Sequence, residues 1–457
     1  MKHIHFIGIG GTGLSAIAKV LLEEGYKVSG SDLTMSTLSD AVEEAGGIVY
    51  LGHQANNILG ADIVVRSSAV PDDNVEVRAA LKANIPVMKR AEFLDRLLEG
   101  KEVIAVAGSH GKTTTTSMIT WILSTLDIDP SFIVGAVVTN LKTNARAGKG
   151  PDFVIEADEY DYMFLGLNPS LAVVTNVEHD HPDLFPTEEI FREAFRDFVD
   201  RLEPEGVLVL CGEDPGAMQL RDNLKPTQQL VVYGFQAPDR DYIARNLENN
   251  ENGGISFEVS RGNGDQNDLV QISLQIPGKH NVLNALAAFA VAEKMGLNSV
   301  EIARALSEFE GSERRFDIRG EYQGILLVDD YAHHPSEIDA TLSAARNSYP
   351  DRRIWAVWQP HTYSRTQTLF SGFKEAFSKA DQVIVLDVYA AREEKPADFS
   401  ISELVDEIKH SSVNFIPENK KVYEFLLKEL RSGDLLLIFT AGDAIDINVQ
   451  LEQSLST

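Results

Sequence analysis

The chain has 457 residues, 44% hydrophobic and 24% charged, a balance ordinary for a globular protein and a length too great for one core, so two to four domains are expected, with three as the central reading. A net charge of −28 repels a phosphate backbone and argues against nucleic acid as a partner, and no apolar run approaches the ~20 residues needed to cross a bilayer. Cys211 is the only cysteine, so no intrachain disulfide can form, which fits a reducing cytoplasm.

The first residues, MKHIHFIGIGG, run directly into a strand-like segment with no basic n-region, apolar h-region or small-residue cleavage site, so secretion is not indicated. His3 to Ile9 reads as a buried strand, and Gly8-x-Gly10-x-x-Gly13 opens a helix that ends near Glu24 and Gly25. A second strand, Tyr26 to Gly30, leads to Asp32, nineteen residues after Gly13, the spacing of a Rossmann nucleotide fingerprint. Taken alone, this pattern favours NAD with Asp32 on a ribose hydroxyl; the plainer alternative is a tight turn whose glycines only permit close packing. Strand-then-turn alternation continues through Ile48-Val49-Tyr50, Ile63-Val64-Val65 and Pro86-Val87-Met88, making residues 1 to about 100 one α/β unit.

Val103 to Ala107 is an apolar strand that stops at Gly108-Ser109-His110-Gly111-Lys112-Thr113, and a helix-compatible run follows to Ser124. Such a loop wraps backbone N–H groups around phosphate oxygens, with Lys112 as a mobile cation and the Thr113 hydroxyl placed for Mg²⁺, so an ATP or GTP polyphosphate is the expected guest. The full G-x-x-x-x-G-K-[ST] pattern would put glycine where Val106 stands, so only the shorter GxxGKT core is present. Two more strands end in residues suited to a metal: Phe153 to Ile155 runs into Glu156-Ala157-Asp158-Glu159, and Leu171 to Val174 runs into Thr175 to His181. Parallel strands share one carboxyl edge, so Glu156 and His181 can meet the phosphate loop. Thr113 and Glu156 are the more natural ligands for hard Mg²⁺ and His181 the less natural one; the plain alternative makes His181 a solvated loop histidine and Asp158, Glu159 and Asp161 a charged surface turn.

Between Gly206 and Leu274 the sequence gives short strands, with polar hairpins at Asn249 to Gly254 and at Arg261 to Asp268. Pro277-Gly278-Lys279-His280-Asn281 then precedes a helical run from Val282 to Met295, closed by Gly296, with Asn281 as its N-cap. His280 and Asn284 lie near the same helix start and can face a nucleotide base. A third α/β unit begins near Arg314-Arg315-Phe316, with strands Ile325 to Val328, Ile354 to Trp358, Gln382 to Leu386 and Leu435 to Phe439. Polar clusters follow three of them, at Asp329 to Pro335, Gln359 to Thr366 and Asp387 to Glu393, which points to one binding edge. Arg315 and Arg365 are either cations for an oxyanion or members of surface ion pairs.

Taken in order, GIGGTGLS, SDLTMST, SSAV, KRAEFL, GSHGKTTTT, EADEYD, VTNVEHDH, PGKHNVLNALAA, ERRFD, DDYAHHPSEI, QPHTYSRT and DVYAARE make the chain closely resemble the Mur ligases of peptidoglycan synthesis over nearly its whole length. The branch that adds L-alanine resembles it most, and like that branch this chain has no lysine between His181 and Lys225 to serve as a carbamylated metal bridge. The resemblance implies an α/β fold of three domains: a Rossmann-like UDP-binding domain at 1–100, a central P-loop ATPase-type domain at 101–312 and a C-terminal Rossmann-like domain at 313–457. It implies a cytoplasmic ligase that uses ATP and Mg²⁺ to join L-alanine to UDP-N-acetylmuramate, with no nucleic-acid or membrane partner, as a monomer or a homodimer.

Carried over by position, Gly10, Gly11, Thr12, Gly13, Asp32, Thr37, Ser67, Ser68 and Arg90 would surround the UDP-sugar, so the first glycine loop holds its diphosphate rather than NAD. Gly108, Ser109, His110, Gly111, Lys112, Thr113 and Thr114 would hold ATP, with His280, Asn281, Asn284 and Arg315 as further base and phosphate contacts. Thr113, Glu156 and His181 would bind the metal, and Asp330, His333, His334, His361 and Arg365 would close over the reacting groups. Lys112, Arg315, Asp330, His333 and Arg365 are the candidate catalytic residues. A murein tripeptide-recycling ligase using the same sugar, an NAD-dependent oxidoreductase and a non-catalytic nucleotide-binding protein remain the alternatives.

Overall fold

A computed structural model describes residues 2–236, 240–262 and 269–456. The chain forms two compact units, one made of Met1–Val177, Arg192–Tyr242 and Ala287–Ala305, the other of Glu178–Phe191, Ile243–Leu286 and Leu306–Thr457.

In the first unit, five parallel strands lie in the order Ile48–Leu51, Lys27–Asp32, His3–Ile7, Ile63–Arg66 and Val87–Lys89. Chain order reverses on either side of His3–Ile7, and a doubly wound sheet opens a ligand crevice beyond the carboxyl end of such a strand. The first glycine loop sits there. Ile7, Ile58, Val64, Val77 and Ala80 form an apolar cluster beneath the sheet.

That layer also buries a polar network. Glu76 has no solvent exposure, yet its carboxylate accepts hydrogen bonds from Ser31 (2.6 Å), Asn57 Nδ2 (2.6 Å) and the Gln54 N–H (2.9 Å), and lies 3.2 Å from His5 Nε2. Burial pushes the Glu76 pKa up, but the bonds from His5, Ser31, Gln54 and Asn57 outweigh it and hold it below the ordinary value. A depressed pKa stabilises the fold above the unfolded value and stops doing so as pH falls through the folded one. Glu76→Gln is therefore expected to cost about 1–3 kcal/mol in urea unfolding at pH 7. The gap to the parent should narrow once pH drops below about 4; a gap that is constant from pH 7 to pH 3 counts against the charged assignment.

A second set of strands in this unit runs Gln229–Gly234, Val207–Cys211, Leu171–Val174, Glu102–Ala107, Asp152–Glu156, Ser131–Val138 and Thr143–Arg146. Glu102–Ala107 is central and fully flanked by parallel partners, so its inner residues are apolar on both faces. The antiparallel pair Ser131–Val138 and Thr143–Arg146 was not legible in the sequence, because its polar and glycine residues blur the alternation.

In the second unit, six strands run Asp317–Tyr322, Ile325–Asp330, Asp434–Phe439, Arg353–Trp358, Gln382–Val385 and Val413–Phe415. Alternate residues feed opposite layers: Leu435, Leu437 and Phe439 pack with Trp358 and Ile338 on one face, while Leu436 and Ile438 pack with Trp355 and Leu426 on the other. Only the edge strand Asp317–Tyr322 is antiparallel. The turn at 250–254 joins strands Tyr242–Asn249 and Ile255–Arg261 as expected, held by Asn250 Oδ1 accepting from the Asn252 and Gly254 N–H groups. The hairpin expected at Arg261 to Asp268 falls mostly on 263–268, outside the described residues.

One expectation is corrected. Asn281 does not cap a helix starting at Val282; it lies inside the helix Lys279–Lys294, which begins earlier because Gly278, at φ +101°, turns the chain just before it. The Asn281 side chain donates to the Pro277 carbonyl (2.7 Å) and accepts from Asn284 Nδ2 (3.1 Å), so it braces the turn instead of accepting from the helix amides. Gly296, at φ +86°, closes this helix as read from sequence.

Candidate active site

In the first unit, the glycine loop lies beside Asp32, Ser67 and Arg90. The Gly10 N–H donates to Asp32 Oδ2 (2.9 Å), and the Ser36 hydroxyl caps the helix that Thr37 begins. Gly11 precedes the helix Thr12–Glu23 without offering any side-chain cap, leaving the positive helix end for an anion. Thr12, Thr37 and Ser68 are exposed, and Ser67 packs under Gly8. Arg90 lies directly over Gly13: a Cβ there would stand 2.3 Å from Arg90 Nη1, so the third glycine of the motif makes room for a cation. Arg90 also donates to Asp158 Oδ2 at 3.0 Å.

The phosphate loop follows the central strand. Gly108 and Gly111 adopt φ of +135° and +80°, conformations that side chains resist, and Gly111 leads into the helix Lys112–Thr125. The next strand end clamps the loop: the Thr175 hydroxyl donates to the His110 carbonyl (2.6 Å), while Asn176 accepts from the His110 N–H (2.9 Å) and donates to its carbonyl (3.1 Å). A Cβ on Gly108 would lie 2.0 Å from Thr175 Oγ1. Gly108→Ala should therefore weaken ADP binding by about tenfold or more in titration calorimetry, through a loop forced out of shape; an unchanged affinity would show that this loop shape is not needed.

Lys112 Nζ donates to both carboxylate oxygens of Glu159 (3.0 and 2.8 Å) and to the carbonyls of Gly108 (2.6 Å) and Ser109 (3.3 Å). Burial disfavours its charge, but the carboxylates of Glu159, Asp158 and Glu156 prevail and raise its pKa above the ordinary value. The Thr113 hydroxyl donates to Glu156 Oε1 at 3.0 Å, and the Gly135 N–H donates to Oε2 at 2.7 Å. Ser109 and Thr114 are buried. A hydroxyl and a carboxylate oxygen this close are the hard donors that Mg²⁺ takes, so these two residues fit that ion.

The second unit gathers the remaining polar residues. Arg365 is buried and grips Asp180 with Nε to Oδ1 (2.7 Å) and Nη2 to Oδ2 (3.3 Å). It also donates to His361 Nδ1 (2.9 Å) and lies 3.3 Å from His181 Nδ1. Burial would raise the Asp180 pKa, but Arg365, His181 and His333 hold it well below the carboxylate range. Burial, then Arg365, drives His333 well below the ordinary histidine value and His361 down to about 4, so both rings are neutral at pH 7. His333 Nδ1 bonds the Tyr331 carbonyl (2.9 Å), and His334 Nδ1 accepts from the Ser336 N–H at the head of the helix Pro335–Ser348.

Asp330 is buried and fully engaged, accepting from the Ala332 N–H (2.7 Å), the Phe316 N–H (3.0 Å) and the Thr341 hydroxyl (3.3 Å). Burial lifts its pKa to about 6. The Arg315 guanidinium lies over the Tyr331 ring, 5.0 Å from its centre, and 3.7 Å from Glu337. His280, which burial lowers to about 4, packs against Gly278 near Asn281 and Asn284.

Several residues of these clusters escape sequence reading. Glu159 belongs to an acidic run that reads as a solvated turn, yet it is fully buried on Lys112. Asp180 stands between two histidines that look like the ligands, and Thr175 and Asn176 look like an ordinary strand end. Only a pairing partner distant in sequence reveals each of them.

Three family descriptions match consecutive segments: Mur ligase family, catalytic domain, over residues 3–102; Mur ligase middle domain over 106–292; and Mur ligase, glutamate ligase domain, over 314–442. The chain is 43% identical over 454 residues to a UDP-N-acetylmuramate–L-alanine ligase of Syntrophomonas wolfei, covering 98% of this chain and 96% of that one. Its fold is similar to that of a UDP-N-acetylmuramate-alanine ligase from Thermotoga maritima, with a TM-score of 0.83 at 28% identity over 99% and 100% of the two chains. It is also similar to a murein peptide ligase from Psychrobacter arcticus, with a TM-score of 0.73 at 26% identity over 100% and 99%.

Proposed function

Because the chain belongs to the Mur ligase family, we propose that it joins L-alanine to the lactyl carboxylate of UDP-N-acetylmuramate at the expense of ATP, giving ADP and phosphate. The observation that carries this reading is the pairing of a glycine loop under Arg90 with a phosphate loop around Lys112 in a chain aligned end to end with L-alanine ligases. An NAD oxidoreductase leaves the second loop without a use. Three domains, at 1–100, 101–312 and 313–457, each contribute a glycine loop or a polar strand edge. No described helix is long and apolar enough to cross a membrane; with its one cysteine buried and reduced, the chain is assigned to the cytoplasm.

A carboxylate does not condense with an amine in water without a leaving group. The lactyl carboxylate attacks the γ-phosphorus, the bond to the β–γ bridging oxygen breaks, and ADP departs from an acyl phosphate. The neutral amine of L-alanine then attacks the acyl carbon, the carbon–oxygen bond to phosphate breaks, and the amine proton is lost as the amide forms. Gly10, Gly11, Thr12, Gly13, Asp32, Thr37, Ser67, Ser68 and Arg90 hold the sugar nucleotide in this scheme. Gly108 to Thr114 hold the ATP phosphates, with His280, Asn281, Asn284 and Arg315 serving the base and phosphates. Lys112 neutralises charge on the transferring group. Neutral His333 accepts a hydrogen bond from the amine, Arg365 faces the developing oxyanion, and Asp330 fixes the loop from Tyr331 to His334. Thr113 and Glu156 would hold Mg²⁺, which would supply further charge neutralisation at the γ-phosphate.

The test is ADP release with UDP-N-acetylmuramate and each of L-alanine, glycine, L-serine and the murein tripeptide. ADP formed with the tripeptide and not with L-alanine would transfer the assignment to the recycling ligase. Absence of ADP with every acceptor would end the ligase reading.

A further inference from the structure

The ammonium of Lys112 has three N–H groups and four acceptors around it, two of them the oxygens of Glu159. Glu159 is fully buried, and its side chain shows 1% exposure against 13% for Lys112, so this pair is hardly screened by water. Just beyond it, Asp161 and Tyr162 both take left-handed φ of +54°, an unfavourable conformation for non-glycine residues, in the turn that brings Glu159 under the loop. The preceding residue, Asp158, ties up Arg90 in the same manner. A phosphate entering the loop therefore meets a lysine whose charge is already matched.

The geometry points to Glu159 as a positioning residue for the proposed reaction: it holds Lys112 back within the phosphate loop and competes with an incoming phosphate for it. It touches Lys112 rather than the reacting atoms. This rests on residues 108–114 being the nucleotide site. Its consequence runs opposite to that of a merely structural buried glutamate, because removing the carboxylate charge frees the lysine for the ligand.

ADP binding to the full chain in excess EDTA, followed by titration calorimetry, tests it with Glu159→Gln. The amide keeps the shape and one acceptor while removing the charge. We expect ADP affinity to rise about tenfold, the size of effect that a unit charge a few ångströms away exerts at a poorly solvated site, and the melting temperature of the ligand-free variant to fall. Unchanged or weaker ADP binding by a folded Glu159→Gln overturns the inference. Should that variant fail to fold, Glu159→Asp, which keeps the charge but retracts it from Nζ, decides the matter: tighter ADP binding upholds the role and equal or weaker binding overturns it. Failure of the parent protein to bind ADP would overturn the nucleotide-site reading itself.

Discussion

Lys112→Ala is expected to lower turnover by about 10²-fold or more at saturating substrates, the cost of losing one preorganised charge-stabilising donor. The lysine is the loop's own cation, brought by Gly111 to the first position of a buried helix, and in the proposed scheme its ammonium neutralises charge on the transferring phosphate. Its removal also leaves the buried Glu159 carboxylate without its cation, so a second variant separates the two effects. In Lys112→Ala with Glu159→Gln the stranded charge is gone, and stability should recover while turnover should not. Turnover within threefold of the parent in the single variant, measured by ADP release, would exclude Lys112 from the chemistry. Full recovery in the double variant would make its part purely structural.

Asp180→Ala should destabilise the second unit by about 3–5 kcal/mol, because it leaves the buried Arg365 guanidinium without its counter-charge. His361 and His181 cannot replace it: neither ring carries a negative charge, and each offers one nitrogen to a group that has lost a bidentate carboxylate. Urea unfolding followed through Trp355 and Trp358, which pack on opposite faces of the sheet in this unit, reads the loss. Asp180→Ala combined with Arg365→Met removes both charges and should regain more than half of it, since a missing pair costs less than a broken one. A single variant within 1 kcal/mol of the parent, or a double variant less stable than the single, would show that this pair does not organise the cluster. In the single variant Arg365 loses the carboxylate that holds it against His361 and His181, and in the double variant the cation itself is gone, so activity should fall even where the fold survives.

The elements that could be read in advance are those whose signal is local. The strand Glu102–Ala107 is announced by a run of apolar residues and ended by Gly108, and the alternation of such strands with helical segments was enough to give the α/β class. The strands that went unread, Ser131–Val138, Thr143–Arg146, Asp317–Tyr322 and Val413–Phe415, are edge or near-edge elements with mixed burial, where periodicity is weak. The Asn281 cap failed for a related reason: an asparagine before an apolar run is a cap only if its oxygen faces the helix amides, and here Gly278 had already started the helix.

By itself the sequence determined which chemistry is present, because glycines that permit left-handed backbone, a lysine and a hydroxyl after them, and strand ends rich in His and Asp act through residue type and short spacing. Only the tertiary structure decided which charges meet. Glu159 closes on Lys112, Asp158 on Arg90 and Asp180 on Arg365 across separations of 47, 68 and 185 residues. Charge attracts through space with no preference for position along the chain, and burial, which the fold alone sets, determines whether water screens that attraction.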